Sequence, residues 1–312
     1  MRIIFMGTPD FAAASLEKIL EGGHDVAAVF TQPDRPKGRG YRLTPPPVKE
    51  TALNHEIKVH QPLTLKDDET VELIKNYKPE CIVVVAYGLI LPERVLEVPP
   101  LGCINVHASL LPKLRGAAPI QWSIINGEKE TGVTTMYMAK GLDTGDMILK
   151  SRLDIGPDET FGELHDRLMK IGAETLLKTL TLLEQGKAPR EKQDDVLSNY
   201  APMIDKTNSM IDWSKSAQDI HNLVRGLNPF PAAYTLLGGE KFKIISSKLT
   251  SGAATDKVPG TVVSSDDSGF LIACGDGRAL LVKDVQAQGG KRMTAAAYAH
   301  GHGINEKTIF GR

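Results

Sequence analysis

The stretch RIIFMGTPDFAAASLEKILEGG, residues 2–23, indicates the fold class of the chain. Its first six residues are almost wholly apolar, which is typical of a strand buried in a sheet. Pro9 and Asp10 stand where a helix would begin, and Gly22 with Gly23 stand where it would end. The apolar residues between them recur at helical spacing: Phe11, Ala14, Leu16, Ile19 and Leu20. The sequence therefore predicts a buried strand followed directly by a helix.

The same pattern continues along the chain in short runs dense in Val, Ile and Cys. These runs are DVAAVF (25–30), CIVVVAYG (81–88), GCINVH (102–107) and GVTTMYM (132–138). Helical patterns separate them, such as the one at 67–76. Continuous apolar strands that alternate with helices are typical of parallel, buried strands. We therefore predict an α/β domain with a Rossmann-like, doubly wound and mostly parallel sheet, in which all four runs are parallel.

A second, smaller domain is predicted after this sheet. Thr160 and Glu163 form a capping box that begins a helix, and Gly186 is placed to end it. We place the first domain at 1–188 and a polar linker at 189–206, which leaves 207–312 for the second domain. That domain opens with a helix pattern at 216–225 and continues as closely spaced strands: KFKII, GTVVSS, GFLIAC and ALLVKDV. Such spacing favours a small antiparallel, OB-like β-barrel.

Composition favours a protein of the cytoplasm with no membrane segment. Apolar residues make up 41% and charged residues 24% of the 312 residues. No apolar run approaches the roughly 20 residues that span a bilayer, and the N-terminus lacks the pattern of a signal peptide. The net charge is −1, although residues 207–312 alone carry +3. An excess that small does not by itself indicate nucleic-acid binding.

Neither a metal site nor a nicotinamide site is predicted. The three cysteines form no CxxC pair, and Cys81 and Cys103 are expected to be core residues of their strands. His300 and His302 flank a glycine, but we expect them to belong to a mobile tail rather than to a metal centre. Pro9 occupies the place of the second glycine in GxGxxG, which disfavours dinucleotide binding.

Polar residues that follow the predicted strands are the candidates for chemistry, because open α/β sheets bind ligands at the carboxyl ends of their strands. Asn105 and His107 share strand parity and therefore face the same way. Gly141 and Gly145 bracket Asp143 and allow a tight loop to present its carboxylate. Each of these residues alone is more typical of a structural role. Only their combination points to a catalytic site.

That combination resembles a known family. The segments NVHASLLPKLRGAAPIQW (105–122) and GLDTGD (141–146) resemble the core of the 10-formyltetrahydrofolate-dependent formyltransferases. More narrowly, four further segments resemble the members of that family that act on methionyl-tRNA, in matching order along the chain. These segments are MGTPDFA (6–12), FTQPDRPKGRG (30–40), VVVAYGLILP (83–92) and LNPFPAAY (227–234).

The resemblance implies a reaction and a catalytic trio. The formyl group of 10-formyltetrahydrofolate would pass to the free amino group of initiator methionyl-tRNA, which supplies translation initiation with N-formylmethionyl-tRNA. Asn105, His107 and Asp143 would be catalytic. Donors from Asn105 and a protonated His107 would stabilise the developing oxyanion, while Asp143 would hold His107 charged and pass a proton outward through water. No metal is required.

The resemblance also implies residues that bind the two substrates. Two segments would form the folate pocket: Ser109, Leu110, Leu111 and Pro112, with Tyr87, Gly88, Leu89 and Ile90. A basic loop would engage the tRNA acceptor end through Arg35, Lys37, Arg39 and Arg42, and the C-terminal OB-like domain would add to tRNA binding. The family further favours a monomer.

Four alternatives stay open at this point. An enzyme that formylates a nucleotide-linked amino sugar would share the trio and a similar second domain, although the QPDRPKGRG loop disfavours it. Glycinamide ribonucleotide formyltransferases usually lack the extra domain, and formyltetrahydrofolate deformylases normally carry a different, N-terminal one. A catalytically silent tRNA-binding protein would not need all three chemical residues.

Overall fold

The structure, a computed structural model, describes residues 1–37 and 41–311, and the side chains of Lys37, Arg42 and 251–253 are not part of that description. The chain divides into two compact units. Unit 1 comprises Met1–Gly116, Thr131–Leu153 and His165–Tyr200, and unit 2 comprises Ala117–Glu130, Asp154–Leu164 and Ala201–Arg312. The sequence did not predict that 117–130 and 154–164 would belong to the second unit. Boundaries at residues 188 and 206 remain predictions.

Eleven strands and six α-helices begin before residue 202 in the described part of the chain. The strands are β1 (Arg2–Gly7), β2 (Asp25–Phe30), β3 (Arg35–Lys37), β4 (Arg42–Thr44), β5 (Val59–His60), β6 (Cys81–Val85), β7 (Cys103–His107), β8 (Arg115–Gly116), β9 (Glu130–Tyr137), β10 (Met147–Asp154) and β11 (Tyr200–Ala201). The helices are α1 (Asp10–Glu21), α2 (Pro47–Asn54), α3 (Asp68–Asn76), α4 (Glu93–Leu96), α5 (Pro119–Ile125) and α6 (Phe161–Glu184).

The sheet of unit 1 has seven strands in the order β10-β9-β7-β6-β1-β2-β5. The five strands from β7 to β5 are parallel, with β1 central between β2 and β6. These strands are nearly continuous apolar runs because helices cover the sheet. Cys81 and Cys103 are buried at the starts of β6 and β7, as predicted. The Rossmann-like, mostly parallel sheet predicted from the sequence is therefore confirmed.

The prediction that GVTTMYM runs parallel to its neighbours was wrong. This run forms most of β9, which pairs with β7 in the antiparallel sense, so that His107 lies opposite Thr134. A strand buried on both faces is a continuous apolar run in either direction, and its composition therefore cannot report its direction. The segment between β7 and β9 includes α5, which belongs to unit 2 rather than to unit 1.

Unit 2 contains α5, α7 (Ala217–Gly226), α8 (Ala295–His302) and an antiparallel sheet in the order β12-β13-β16-β15-β14, with β17 paired to β16. Its strands are β12 (Ala233–Leu237), β13 (Glu240–Ala254), β14 (Val262–Asp266), β15 (Gly269–Ala273), β16 (Arg278–Ala287) and β17 (Met293–Thr294). Phe270 stacks on Phe310 in its core, with ring centroids 5.6 Å apart. The antiparallel sheet is confirmed, and closure into an OB-like barrel stays a prediction.

His300 and His302 lie in α8, so the prediction of a mobile tail was wrong. The side chain of Thr294 caps this helix by accepting from the amide of Ala297. The ring of His302 stacks on Tyr298 with centroids 4.0 Å apart. A short alanine-rich segment shows little amphipathic pattern, which is why its sequence did not predict the helix.

Within residues 1–37 and 41–311, no helix combines the length and the apolarity needed to cross a lipid bilayer.

Candidate active site

The carboxyl ends of β6 and β7 bring the candidate residues to one edge of the sheet. These strands are parallel neighbours, with Val84 opposite Asn105. The segment after β6 and the loop after β7 therefore leave the sheet side by side. Asn105 is half-buried, and its side chain has no hydrogen-bond partner among the residues that the structure describes. Its amide is thus available to a ligand at this edge.

His107, the last residue of β7, is held between two acceptors. Its side chain is only 6% exposed. Nε2 lies 2.9 Å from the carbonyl oxygen of Leu114, and because a carbonyl can only accept, Nε2 carries the proton. Nδ1 faces Asp143 Oδ2 at 3.7 Å. That distance is too long for a hydrogen bond but short enough for attraction between charges.

Asp143 is presented by a tight loop with its backbone in the left-handed region, at φ 51°. Its Oδ2 accepts the backbone amide of Gly116 at 2.8 Å, and its side chain is 11% exposed. Gly145 approaches the carbonyl of Tyr137 so closely that a Cβ there would collide with it. Gly145, one of the two glycines that the sequence singled out, therefore allows this loop to place the carboxylate beside His107.

The loop after β7 is braced by Thr134 of β9 and by a hydrogen bond of its own. Thr134 Oγ1 donates to the carbonyl of Ser109 at 2.7 Å and accepts the amide of Leu111 at 3.1 Å. The Ser109 hydroxyl donates to the carbonyl of Lys113 at 2.6 Å. Because Ser109 and Leu111 are buried, their side chains support the loop. Leu110 and Pro112 are half-buried and reach its surface.

The segment after β6 combines a buried tyrosine, a glycine with positive φ and an exposed isoleucine. Gly88 has a φ of 89°, a conformation that favours glycine. Tyr87 is buried, its hydroxyl has no partner among the described residues, and burial raises the pKa of that phenol above its usual range. Ile90, by contrast, is 83% exposed. The predicted folate-pocket residues therefore do follow two neighbouring strands, although their contacts with a folate remain a prediction.

The basic loop forms a hairpin of β3 and β4, in which Lys37 pairs with Arg42. Arg35 is exposed on it, and Arg39 lies outside the described residues. Asp34 anchors the hairpin base by accepting from Lys49 Nζ at 2.8 Å and from Gln61 Nε2 at 2.8 Å.

A cavity of about 440 Å³ separates this hairpin from the segment after β6. Its lining includes Gln32, Arg35, Tyr87 and Gly88. The predicted tRNA loop and the predicted folate segment therefore border the same space.

A polar cluster that the sequence did not predict supports the Asp143 loop. Gln193 donates to the carbonyls of Asp143 and Gly145, both at 2.8 Å, and accepts from Arg115. The polar composition around Gln193 predicts only a surface linker. Its contacts lie about fifty residues or more away along the chain, so no local pattern marks them.

Among the residues that the structure describes, no three His, Cys, Asp or Glu side chains are grouped to hold a metal ion.

Comparison with known proteins adds to this geometry. The model of the formyl transferase family matches residues 1–180, and that of the formyl transferase C-terminal domain matches residues 203–303. A methionyl-tRNA formyltransferase of Desulforamulus reducens is 52% identical over 100% of this chain and 98% of its own length. A methionyl-tRNA formyltransferase of Clostridioides difficile is 50% identical over 100% of both chains.

This chain belongs to the formyl transferase family, among the methionyl-tRNA formyltransferases.

Solved structures at lower sequence identity share the fold. An N-formyltransferase from Helicobacter canadensis, in complex with folinic acid and dTDP-3-aminofucose, has a TM-score of 0.66 at 22% identity, with 90% of this chain and 98% of that chain covered. HypX from Aquifex aeolicus in complex with tetrahydrofolic acid has a TM-score of 0.64 at 19% identity, with 98% of this chain and 48% of that chain covered. At such identities the likeness concerns the fold alone.

Proposed function

We propose that this chain transfers the formyl group of 10-formyltetrahydrofolate to the amino group of initiator methionyl-tRNA. The observation that carries the proposal is the position of Asn105 and His107 at the carboxyl end of β7 with Asp143 facing His107 at 3.7 Å, in a chain about 50% identical over its full length to methionyl-tRNA formyltransferases. The formyl donor supplies an activated one-carbon unit. The protein must place an amine against that carbon and stabilise the charge that develops on its oxygen.

Asn105 and His107 are the donors we assign to the formyl oxygen. The Asn105 amide is free of partners among the described residues and is therefore available to donate. Nε2 of His107 would exchange the Leu114 carbonyl for the substrate oxygen, which is an equivalent acceptor. Asp143 faces the opposite nitrogen of the ring, where its charge would attract the ring and hold its orientation.

The proton balance of the reaction involves Asp143 and water. The amine nitrogen forms its bond to the formyl carbon while the bond from that carbon to N10 of the folate breaks. The amine loses one proton and N10 gains one. Asp143 is 11% exposed, so that its carboxylate reaches solvent and can pass the amine proton outward. An α-amino group has a reference pKa of about 7.7 to 8.0, and therefore no strong base is needed.

The hairpin of β3 and β4 is assigned to the tRNA acceptor end. Its strands carry Arg35, Lys37 and Arg42, Arg39 lies between them in the sequence, and all four would pair with phosphates. The antiparallel-sheet domain would bind the body of the tRNA, and we propose that the enzyme acts as a monomer in the cytoplasm. Light scattering of the purified protein tests the oligomeric state.

The test is an acceptor comparison. Purified protein is incubated with 10-formyltetrahydrofolate and, separately, with methionyl initiator tRNA, methionyl elongator tRNA or amino-sugar nucleotides, and formylated product is followed. We expect product from the initiator species. Product from a sugar nucleotide alone would leave the chemistry of Asn105, His107 and Asp143 in place but would overturn the tRNA assignment. No product from any acceptor would favour a silent tRNA-binding protein.

A further inference from the structure

Residues 190–199, here called the strap, lie against the elements that carry the Asp143 loop. Met147 and Glu191 exchange two backbone hydrogen bonds, at 2.8 and 3.0 Å. The guanidinium of Arg190 covers the ring of Tyr137, with 3.6 Å to the ring centroid. Because Tyr137 and Met147 stand on either side of the 138–146 loop, the strap is fixed to both ends of that loop.

The side-chain amide of Gln193 both donates and accepts hydrogen bonds within unit 1. The amide nitrogen donates to the carbonyls of Asp143 and Gly145, both at 2.8 Å. The amide oxygen accepts two bonds from Arg115, from Nε at 3.0 Å and from a terminal nitrogen at 2.8 Å. The residue after Arg115 is Gly116, whose amide holds the Asp143 carboxylate. Gln193 thus connects the backbone of Asp143 to the chain segment that binds its side chain.

Asn199, also in the strap, supports Leu114, whose carbonyl is the hydrogen-bond partner of His107. Its Oδ1 accepts the amide of Leu114 at 2.5 Å, and its carbonyl accepts the amide of Arg115 at 3.0 Å. Leu114 has a φ of 58°, and its carbonyl is the acceptor for His107 Nε2. The strap therefore holds the acceptor of His107 at one place and the backbone of Asp143 at another.

We propose that Gln193 is a positioning residue for formyl transfer, which acts by fixing the Asp143 carboxylate at its distance from His107. The proposal rests on the function proposed above. Only a side chain with a donor and an acceptor satisfies these contacts, since a carboxylate would face two carbonyl oxygens without a proton to share. Gln193→Glu keeps the size of the side chain and its contact with Arg115, and it removes the two bonds to the loop.

The first measurement does not depend on turnover. Hydrogen exchange of the Gly116 amide, followed by NMR in the full chain, reports whether Asp143 still accepts that bond. We expect exchange in Gln193→Glu to be about tenfold faster or more, because the carboxylate no longer stays in place. Lys192→Ala is the matched control, since Lys192 is exposed in the same strap and has no contact with the loop among the described residues. It should leave the Gly116 exchange unchanged.

The second measurement is a double-mutant cycle with Asp143→Asn, from the steady-state kinetics of methionyl-tRNA formylation. Gln193→Glu alone should lower kcat about tenfold or more while both KM values change less than about threefold. In the Asp143→Asn background, Gln193→Glu should lower kcat less than about twofold, because the side chain that Gln193 positions has already lost its charge. Replacement of a residue that merely supports the fold would lower kcat by the same factor in both backgrounds.

Independent, multiplicative losses, or a Gly116 amide that exchanges as in the unmodified chain, would overturn the proposal. Should Gln193→Glu fail to fold, Gln193→Met, which has a similar length and no polar groups, enters the same two measurements with the same expectations. If the unmodified chain forms no product with methionyl-tRNA, the proposed function fails, and the exchange of Gly116 still decides whether Gln193 positions Asp143.

Discussion

The chemistry of His107 and Asp143 depends on how the fold buries and orients the two side chains relative to each other. The imidazole is nearly buried, and its two nitrogens face only acceptors, the Leu114 carbonyl and the Asp143 carboxylate. A neutral imidazole can donate to only one of them, whereas the charged form can satisfy both. Removal of the carboxylate charge should therefore remove the attraction between the two side chains without changing the shape of the loop.

Asp143→Asn should lower formyl transfer about a hundredfold or more, which corresponds to about 2.7 kcal/mol of transition-state stabilisation. The amide oxygen can still accept the Gly116 amide, so the loop should keep its place and the protein its melting temperature. Initial rates with methionyl-tRNA and thermal unfolding of the same preparation measure the two effects.

Asp146→Asn is the control, because Asp146 lies in the same GLDTGD segment and its carboxylate faces Arg190 at 3.8 Å rather than His107. Its turnover should stay within about threefold of the unmodified chain. Equal losses in the two variants would mean that the segment tolerates no amide at all, and the role of Asp143 would then have no support.

At the scale of the element, α6 shows how local chemistry decides where a helix begins. The amide of Glu163 donates to the Thr160 hydroxyl at 3.3 Å, and Glu163 Oε2 accepts the Thr160 amide at 2.9 Å. Two backbone amides of the first turn are thereby satisfied. The bonds that the Thr160 amide and the Thr160 hydroxyl donate to the carboxylate lower the pKa of Glu163 below its usual value. Folding therefore favours the ionised carboxylate at this position.

Glu163→Gln should reduce the free energy of unfolding by about 0.5 to 1 kcal/mol near neutral pH. A carboxyl whose pKa is lowered by folding stabilises the protein above its unfolded pKa, and this contribution is lost as the pH falls through the folded pKa. The difference between the two proteins should therefore disappear below about pH 4. Urea unfolding at a series of pH values measures it.

Glu174→Gln, at an exposed position in the middle of the same helix, serves as the control and should change the stability by less than about 0.3 kcal/mol. A difference for Glu163→Gln that persists at low pH would indicate an effect other than the charge of the cap.

Elements with a local signal could be predicted from the sequence, and elements defined by distant contacts could not. Asp67 caps α3 and Ser216 caps α7, each by a side-chain bond within four residues, and both helices are confirmed. The direction of β9 depends on which strand it meets, which its own residues do not specify. The polar strap has the composition of a linker because the partners of Gln193 lie far away along the chain.

The candidate site divides in the same way. His107 and Asp143 could be proposed from strand parity and flanking glycines, and the structure places them 3.7 Å apart. Gln193 and Asn199 have no motif of their own. Their contacts become visible only when the strap is folded against the two loops.

At the scale of the molecule, the residues proposed to act on both substrates are concentrated in one of the two units. Unit 1 holds the candidate catalytic residues, the proposed folate segments and the basic hairpin. The C-terminal part carries a net charge of only +3 over residues 207–312. So small an excess contributes little long-range attraction to a polyanion. We therefore expect the hairpin to contribute much of the salt-dependent part of tRNA binding.

Replacing Arg39 and Arg42 together by alanine should raise the KM for methionyl-tRNA. It should also reduce the dependence of log KM on log salt by about one for each phosphate that the protein no longer binds. The KM for the formyl donor and the rate at saturating tRNA should stay unchanged, because neither side chain belongs to the proposed trio.

The matched control replaces Lys66 and Lys75, two exposed lysines of unit 1 outside the hairpin, and changes the net charge equally. If the control weakens tRNA binding as much as the hairpin variant, overall charge rather than a specific contact governs affinity. If the salt dependence of the hairpin variant is unchanged, Arg39 and Arg42 do not bind phosphate, and recognition of the acceptor end must be assigned to other residues.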